Sequence, residues 1–201
     1  MIVIQSKKLL FVSNPKTGTT KVQKVLLEKF PESKLNKVFS DNNNSGIKLN
    51  EHDNIDAIKS KIGDLWNNYK SFVFIRCPYE KAVSAYNFYL NGKPITRSDN
   101  KRQLQVYINI LLTKLLPFSL WVLVKQIKTN YKYVLDNKNI VSVNHVGDNS
   151  QLLFQLEQLL NFYEINIEIT DRSKLNKSSY NHSEDFFKNT ITKYLFDLKY
   201  K

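Results

Sequence analysis

The stretch Leu9-Leu10-Phe11-Val12-Ser13-Asn14-Pro15-Lys16-Thr17-Gly18-Thr19-Thr20 is an apolar run followed by a loop of Pro, Lys, Gly and three Thr, and a helix-like segment, 21–30, comes next. The first N–H groups of a helix have no partner inside the helix, and the helix dipole favours negative charge at that end. A lysine and several hydroxyls directly after a buried strand are therefore typical of a phosphate or sulfate site. The stretch predicts a nucleotide-type site.

The position of the lysine separates this loop from the ordinary ATPase loop. In the ATPase loop, the lysine follows the glycines and precedes a Ser or Thr. Here Lys16 comes two residues before Gly18, the only glycine of the loop. The order argues against an ATPase loop and leaves a plain strand–turn–helix junction as the alternative.

A second strand is followed by another pair of anion-binding side chains. The residues 71–75 are aromatic or β-branched after an initial serine and predict a buried strand, and Arg76, Pro78 and Ser84 follow it. Pro78 suits the first turn of a helix, on which Ser84 would lie. The arginine fork and the serine hydroxyl can converge on one anion. The alternatives are a surface ion pair for Arg76 and a solvated position for Ser84.

Strands alternate with helices along the chain, and this order is typical of a largely parallel sheet covered on both faces. Open sheets of this kind bind ligands at the carboxyl ends of their strands, where both candidate motifs lie. The middle third is predicted to be helical, and a polar loop is expected at 41–46. We predict strands at 8–12, 71–75, 139–146 and 165–170, and helices at 19–30, 54–66, 79–90, 149–162 and 183–199.

The two motifs resemble those of sulfotransferases that use 3′-phosphoadenosine 5′-phosphosulfate. Residues 15–20 match the family's 5′-phosphosulfate loop, P-K-[TS]-G-[TS]-[TS], and Arg76 to Ser84 resembles its 3′-phosphate motif. The segments 69–89, 144–147 and 175–178 also look like the compact glycan sulfotransferases. The resemblance covers most of the 201 residues and is weakest in the middle third.

This resemblance implies a fold, a cofactor and a set of site residues. The fold would be an α/β, P-loop NTPase-like three-layer arrangement with a central, mainly parallel sheet flanked by helices. Residues 1–201 would form a single domain with a helical acceptor-side insertion at about 92–136. Lys16 would be the catalytic cation, no metal would be needed, and 3′-phosphoadenosine 5′-phosphate would be the product. The expected cofactor-binding residues are Lys16, Thr17, Gly18, Thr19, Thr20, Arg76, Ser84 and Lys177.

Three histidines are candidates for the base that removes the acceptor's proton, since histidine suits proton transfer near neutral pH. His52 lies between the two motifs and resembles a histidine of the family, so we predict that it is the base, with Glu51 as the fallback. The alternative for His52 is a surface residue that caps the next helix. His145 lies in a predicted strand and is expected to be structural, while His182 precedes the final helix in a polar turn.

The net charge of +12 implies an anionic partner. A nucleotide sulfate donor supplies one, and a hydroxylated glycan or glycolipid that is already acidic could supply another. The lysines are spread along the chain without a recognisable nucleic-acid module, so we expect no nucleic acid as partner. Candidate acceptor-side cations are Arg97, Lys101, Arg102 and Arg172. The single cysteine, Cys77, fits a reducing compartment and is expected to be buried.

The opening residues show no signal segment, because Lys7 and Lys8 interrupt them. The apolar segment 104–127 is broken by Asn109, Lys114 and Pro117, so it predicts two packed helices and no membrane span. We therefore expect a cytoplasmic protein. A peripheral membrane contact is the alternative.

The residues and the resemblance together predict transfer of sulfonate to a hydroxyl of a carbohydrate, in line and without metal. A nucleotide-dependent kinase is one alternative, although it would want a carboxylate-held Mg²⁺ and a lysine after the loop glycines. A basic nucleic-acid-binding protein is the non-enzymatic alternative, and salt-sensitive nucleic-acid binding would identify it. Lys81, where many relatives carry Arg, and Asp148-Asn149-Ser150 depart from the family pattern.

Overall fold

The computed structural model describes residues 1–35, 37–40, 43–92, 100–169 and 183–200. The chain divides into two compact units, Met1–Arg76 with Thr129–Leu175, and Cys77–Lys128 with Asn176–Lys201. The strands are β1 Ile2–Ile4, β2 Leu9–Val12, β3 Lys37–Ser40, β4 Asn43–Lys48, β5 Lys70–Ile75 and β6 His145–Asp148. The α-helices are α1 Thr19–Lys29, α2 Ile55–Ile62, α3 Pro78–Leu90, α4 Asn100–Leu115, α5 Phe118–Val124, α6 Leu152–Phe162, α7 Ser183–Phe186 and α8 Thr190–Tyr200.

The first unit is an α/β structure around a mixed, mostly parallel sheet. Within the described residues, this sheet has four strands in the order β1-β2-β5-β6. Strand β1 runs antiparallel to β2, while β2–β5 and β5–β6 are parallel pairs in which Phe11 lies opposite Phe72 and Phe72 opposite His145. The carboxyl ends of β2, β5 and β6 therefore lie along the same edge, where ligands bind in open sheets of this kind.

Strand β2 is apolar throughout and is buried on both of its faces. Leu9 and Phe11 contribute to one core with apolar residues of α1 and α6, whereas Leu10 and Val12 contribute to a second core with residues of α2. Successive side chains of a strand point to opposite faces, so an uninterrupted apolar run fits a strand covered on both sides. Helices thus flank the sheet, as the sequence predicts.

Most predicted elements of the first unit are confirmed within one to three residues. The helix predicted at 19–30 is α1, the strand predicted at 71–75 is β5, and the helix predicted at 149–162 begins as a 3-10 turn before α6. Helix α2 is shorter than the predicted 54–66, because Gly63 adopts a positive φ of 53° and the chain continues as a 3-10 helix to Asn68.

Other predictions for the first unit are wrong. Residues 165–169 have no strand pairing and run as irregular chain, although Ile165 and Ile169 are buried against the first core. The strand predicted at 139–146 is displaced to His145–Asp148. Part of the predicted polar loop forms β4, which pairs antiparallel with β3. In these segments, pairing or packing with distant chain overrides the local pattern.

The second unit is helical. Its core contains Ala82, Val83, Trp121 and Phe196, with aromatic side chains of α3, α7 and α8 packed around them. Pro117 separates α4 from α5 and is the N-cap of α5, so the predicted break is confirmed. The predicted helix 183–199 is instead the two helices α7 and α8. Cys77 is exposed, so the expectation of a buried thiol is wrong. No described helix has both the length and the apolar character that crossing a membrane requires.

Candidate functional site

The loop between β2 and α1 contains two residues in the left-handed conformation. Lys16 has a φ of 65° and Gly18 a φ of 80°, and Gly18 is the N-cap of α1. Such values are uncommon outside glycine, so a lysine there indicates a conformation imposed by the surroundings. The loop turns tightly enough for α1 to begin at Thr19, directly after it.

Gly18 is required by contact with α6 as well as by its backbone angle. A Cβ atom added at Gly18 would lie 2.7 Å from Leu152 Cδ2 and 2.8 Å from Asn149 Nδ2. Asn149 also donates from Nδ2 to the Thr17 carbonyl at 2.8 Å. The residues after β6 therefore hold the loop in place.

A network of asparagines supports the loop from inside the first unit. Thr17 donates its hydroxyl proton to the Asn14 carbonyl at 2.8 Å. Asn14, fully buried, donates from Nδ2 to the Phe74 carbonyl at 3.1 Å and to Asn130 Oδ1 at 3.0 Å, and Asn130 donates from Nδ2 to the Arg76 carbonyl at 2.8 Å. The ends of β2 and β5 are thereby tied together. The Thr17 hydroxyl proton is used within the loop.

Arg76 reaches the Lys16 loop. Its Nη1 donates to the Lys16 carbonyl at 3.4 Å. Burial, and secondarily the charge of Arg76, lowers the pKa of Lys16 from 10.5 to about 8. Two cations are therefore held beside the first turn of α1, whose N–H groups lack helical partners. An anion bound there would offset the repulsion between the two cations and favour the charged form of Lys16.

Thr19 and Thr20 occupy the first turn of α1. Thr19 is buried and Thr20 is exposed. Their N–H groups belong to the positive end of the helix dipole, where negative charge is stabilised. This part of the loop has the chemistry of an anion site that uses both backbone and hydroxyl donors.

His52 is bound to the same loop by a hydrogen bond. Its Nδ1 lies 2.9 Å from the Ser13 carbonyl, which can only accept, so Nδ1 carries the proton. A neutral ring of this tautomer has its lone pair on Nε2, which lies 3.9 Å from Glu51 Oε1. The N-cap of α2 is Asn54, whose side chain accepts from Ala57 N at 2.9 Å, so His52 is not the cap.

His145 is placed differently from His52. It lies at the start of β6, where its Nε2 is 2.5 Å from the Tyr163 hydroxyl. Its ring also packs edge-on against Phe162 and Tyr163. These contacts agree with the structural role predicted for it.

The structure thus brings the expected loop residues, Arg76, His52 and Glu51 into one region of the first unit. Ser84 belongs to the second unit, where it is buried on α3. Four predicted residues lie outside the described residues: Lys177, Arg97, Arg172 and His182. Lys101 and Arg102 lie in the first turn of α4.

Sequence reasoning missed three asparagines. Asn14 and Asn149 stand inside segments that the sequence analysis singled out, but nothing in one sequence shows what their amides contact. Asn130 lies 116 residues from Asn14 in a stretch with no recognisable motif. The signal that would have identified Asn14 is a polar residue directly after an apolar strand, since such a residue is buried at the sheet edge.

Comparisons with known proteins add no relative to this description. No protein-family model matches the chain, and neither a curated protein nor a solved structure is significantly similar to it. The function of the chain has therefore to be inferred from its own residues.

Proposed function

We propose that this protein is a sulfotransferase that moves sulfonate from 3′-phosphoadenosine 5′-phosphosulfate to a hydroxyl of a carbohydrate. The observation that carries the proposal is the meeting of two motifs, the Lys16 loop after β2 and Arg76 after β5, at the carboxyl ends of adjacent parallel strands. The proposed fold is the three-layer, P-loop NTPase-like type, with the lysine placed before the loop glycine.

The proposed donor site uses the cations and the helix N-terminus together. Lys16, with the N–H groups at Thr17, Gly18, Thr19 and Thr20, would hold the 5′-phosphate and the sulfonate. Arg76 would hold the 3′-phosphate, and the roles of Ser84 and Lys177 stay predictions from the family resemblance. The lowered pKa of Lys16, due first to burial and second to the charge of Arg76, supports this assignment, because a bound anion would stabilise the charged lysine.

The transfer step needs a base and a cation in addition to the donor site. The acceptor oxygen forms a bond to sulfur as the bond from sulfur to the bridging phosphate oxygen breaks. His52 would take the acceptor's proton on Nε2, because Nδ1 already donates to the Ser13 carbonyl. Lys16 would stabilise the charge that develops on the departing phosphate oxygen, which makes the work mainly positioning and electrostatics.

Glu51 is the fallback base in this scheme. Its Oε1 lies 3.9 Å from His52 Nε2, so a protonated ring would be stabilised by the carboxylate. If His52 takes the proton, Glu51 stabilises the imidazolium, and if His52 does not, Glu51 is the alternative base. The His52 ring is less exposed than the carboxylate.

The test is calorimetric binding of 3′-phosphoadenosine 5′-phosphate, with ATP plus Mg²⁺ as the comparison ligand. We expect the bisphosphate to bind without metal and more tightly than ATP. Arg76→Ala should weaken the binding of the bisphosphate by roughly tenfold to a hundredfold, because charge-assisted hydrogen bonds contribute about 1.5–3 kcal/mol.

Lys24→Ala is the matched control for Arg76→Ala. It also removes one positive charge, but Lys24 is paired with Glu28 on the outer side of α1, with a side chain 45% exposed. The affinity of the Lys24→Ala variant for the bisphosphate should stay within about twofold of that of the wild type, since exposed ion pairs contribute little. Equal or better binding of ATP with Mg²⁺, or no nucleotide binding by the folded protein, would overturn the sulfotransferase proposal.

A further inference from the structure

Helix α4 turns an apolar stripe to the outside of the second unit. Its outward side chains are between 48% and 69% exposed, and their spacing of three and four residues places them on one side of the helix. Monomeric proteins rarely expose apolar residues in a continuous patch of this length. The stripe consists of Leu104, Tyr107, Ile108, Leu111 and Leu115.

The opposite side of α4 is polar, buried and hydrogen-bonded. Thr113, fully buried, donates to the Asn109 carbonyl at 2.6 Å and accepts from Trp121 Nε1 at 2.8 Å. Asn109 Oδ1 accepts from Lys125 Nζ at 2.6 Å. Rotating the helix to bury the stripe would break the bonds to Trp121 and Lys125 and expose Thr113. The outward direction of the apolar stripe is therefore built into the packing of the unit.

Helix α5 adds a second group of exposed apolar residues, Leu120, Leu123 and Val124, again spaced three and four apart. We call the exposed residues of α4 and α5 together the α4–α5 apolar surface. The chain from Asn100 to Lys128, all of it in the second unit, contains no Asp or Glu. Its cations are Lys101, Arg102, Lys114, Lys125 and Lys128, of which Lys125 donates to Asn109.

We propose that the α4–α5 apolar surface docks onto an anionic lipid bilayer, with the apolar side chains in the headgroup region and the flanking cations on the lipid phosphates. Apolar helix residues bordered by Lys and Arg are the pattern of helices that lie in a membrane interface. Anionic headgroups attract such cations, and the attraction ends within a Debye length of the surface.

The charge of the chain favours a bilayer over a second copy of the same chain. Two copies would bring together molecules that each carry a net charge of +12, and the stretch that bears this surface has cations but no acid to pair with the same stretch of a second copy. An anionic bilayer offers negatively charged headgroups to the cations and, directly beneath them, an apolar layer to the exposed side chains. This inference is independent of the proposed transfer reaction, because it uses only residues of the second unit.

The experiment is co-sedimentation with vesicles of phosphatidylcholine and phosphatidylserine, compared with vesicles of phosphatidylcholine alone. We expect binding to the anionic vesicles that falls with added salt, and weak binding to the neutral ones. The double variant Leu111→Gln with Leu115→Gln should lower the partition constant about tenfold or more, because two exposed leucines can no longer enter the apolar layer.

Phe154→Gln is the matched control, since Phe154 is an exposed apolar residue of a helix in the first unit. It should bind the anionic vesicles as the wild type does, and far-UV circular dichroism would verify that all variants are folded. Failure of the wild type to sediment with anionic vesicles, or unchanged binding by the double variant, would overturn the proposal. A dimer in solution that the double variant abolishes would also overturn it, because a second copy would then cover the surface.

Discussion

The central strands of the first unit and helix α4 of the second unit use apolar and polar side chains in opposite ways. In the first unit, β2 and β5 are buried on both faces and the polar side chains gather where the strands end. In the second unit, α4 buries Asn109 and Thr113 and exposes Leu104, Leu111 and Leu115. Whether a leucine or an asparagine is buried therefore depends on what packs beside it, and the residue type alone does not settle it.

The two arrangements suit different kinds of contact. Buried amides and hydroxyls in the first unit hold a loop that presents cations and helix N–H groups, which suits a small anion. Buried polar groups in the second unit hold a helix so that its apolar side faces outward, which suits an extended surface. Polar side chains inside a protein are stable in both units because their hydrogen bonds are made.

The largest expected effect is that of Gly18→Ala in the first unit. The alanine would strain a φ of 80° and place its Cβ within 2.7 Å of Leu152. We expect the free energy of unfolding to fall by roughly 3 kcal/mol, measured by urea denaturation, because left-handed strain and overpacking add.

Gly63→Ala separates these two causes. Gly63 also has a positive φ, of 53°, but a Cβ there would meet nothing within 4 Å. It should lose only the strain, roughly 1–3 kcal/mol, because a φ of 53° with a ψ of −131° is a combination that residues with a Cβ rarely adopt. A loss of only about 1 kcal/mol for Gly18→Ala, the cost of left-handed strain alone, would show that α6 does not press on the loop.

The next effect is that of Thr113→Val in the second unit. Valine has nearly the same shape as threonine but leaves the buried Trp121 Nε1 without the hydroxyl that now accepts from it. We expect a loss of about 1–3 kcal/mol in unfolding free energy, because an unpaired buried donor is costly.

Thr113→Ser is the control, since it keeps the hydroxyl and removes one methyl group. It should cost about 1 kcal/mol or less. If valine were tolerated as well as serine, the bond from Trp121 to the Thr113 hydroxyl would not be what holds the α4 stripe outward.

The smallest expected effect is a pH dependence of ligand binding in the first unit. The pKa of Lys16 is lowered to about 8, so the free protein loses this charge as the pH rises through 8. Because only the protonated form attracts an anion, the affinity for 3′-phosphoadenosine 5′-phosphate should fall about tenfold between pH 7 and pH 9. Calorimetry in two buffers of different ionisation enthalpy should also detect proton uptake on binding above pH 8.

Lys16→Arg keeps its charge throughout this range, so it should bind with little change between pH 7 and pH 9. A wild type whose affinity is flat across the same range would show that Lys16 does not meet the ligand. That result would weaken the contrast between an anion site in the first unit and an extended surface in the second.

Much of the first unit could be predicted from local patterns. The runs 9–12 and 71–75 are apolar enough to identify strands, and Pro78 and Pro117 lie at helix starts as expected. The errors fall at segments whose structure depends on distant partners, such as β4, which pairs with β3, and residues 165–169, which are buried without strand pairing. Propensity is a weak prior in such places.

The candidate site also contains residues that local patterns identify and contacts that such patterns cannot identify. Lys16, Gly18 and Arg76 stand out because each follows a strand that its own residues identify. The contact of His52 with the Ser13 carbonyl spans 39 residues, and that of Asn149 with Thr17 spans 132. Patterns with periods of two or four residues carry no information about such pairs.

Neighbouring residues and the backbone restrictions of Gly and Pro are enough to predict the buried strands, the cation-bearing loop before α1 and the break at Pro117. Contacts between distant parts of the chain establish the rest: Asn14 and Asn130 tie β2 to β5, His52 faces the loop with Nε2 as acceptor, and the leucines of α4 point outward. The periodicity of α4 is the one that ordinarily marks a buried face. Which face is buried was set by the hydrogen bonds of Thr113, whose partner Trp121 lies on another helix.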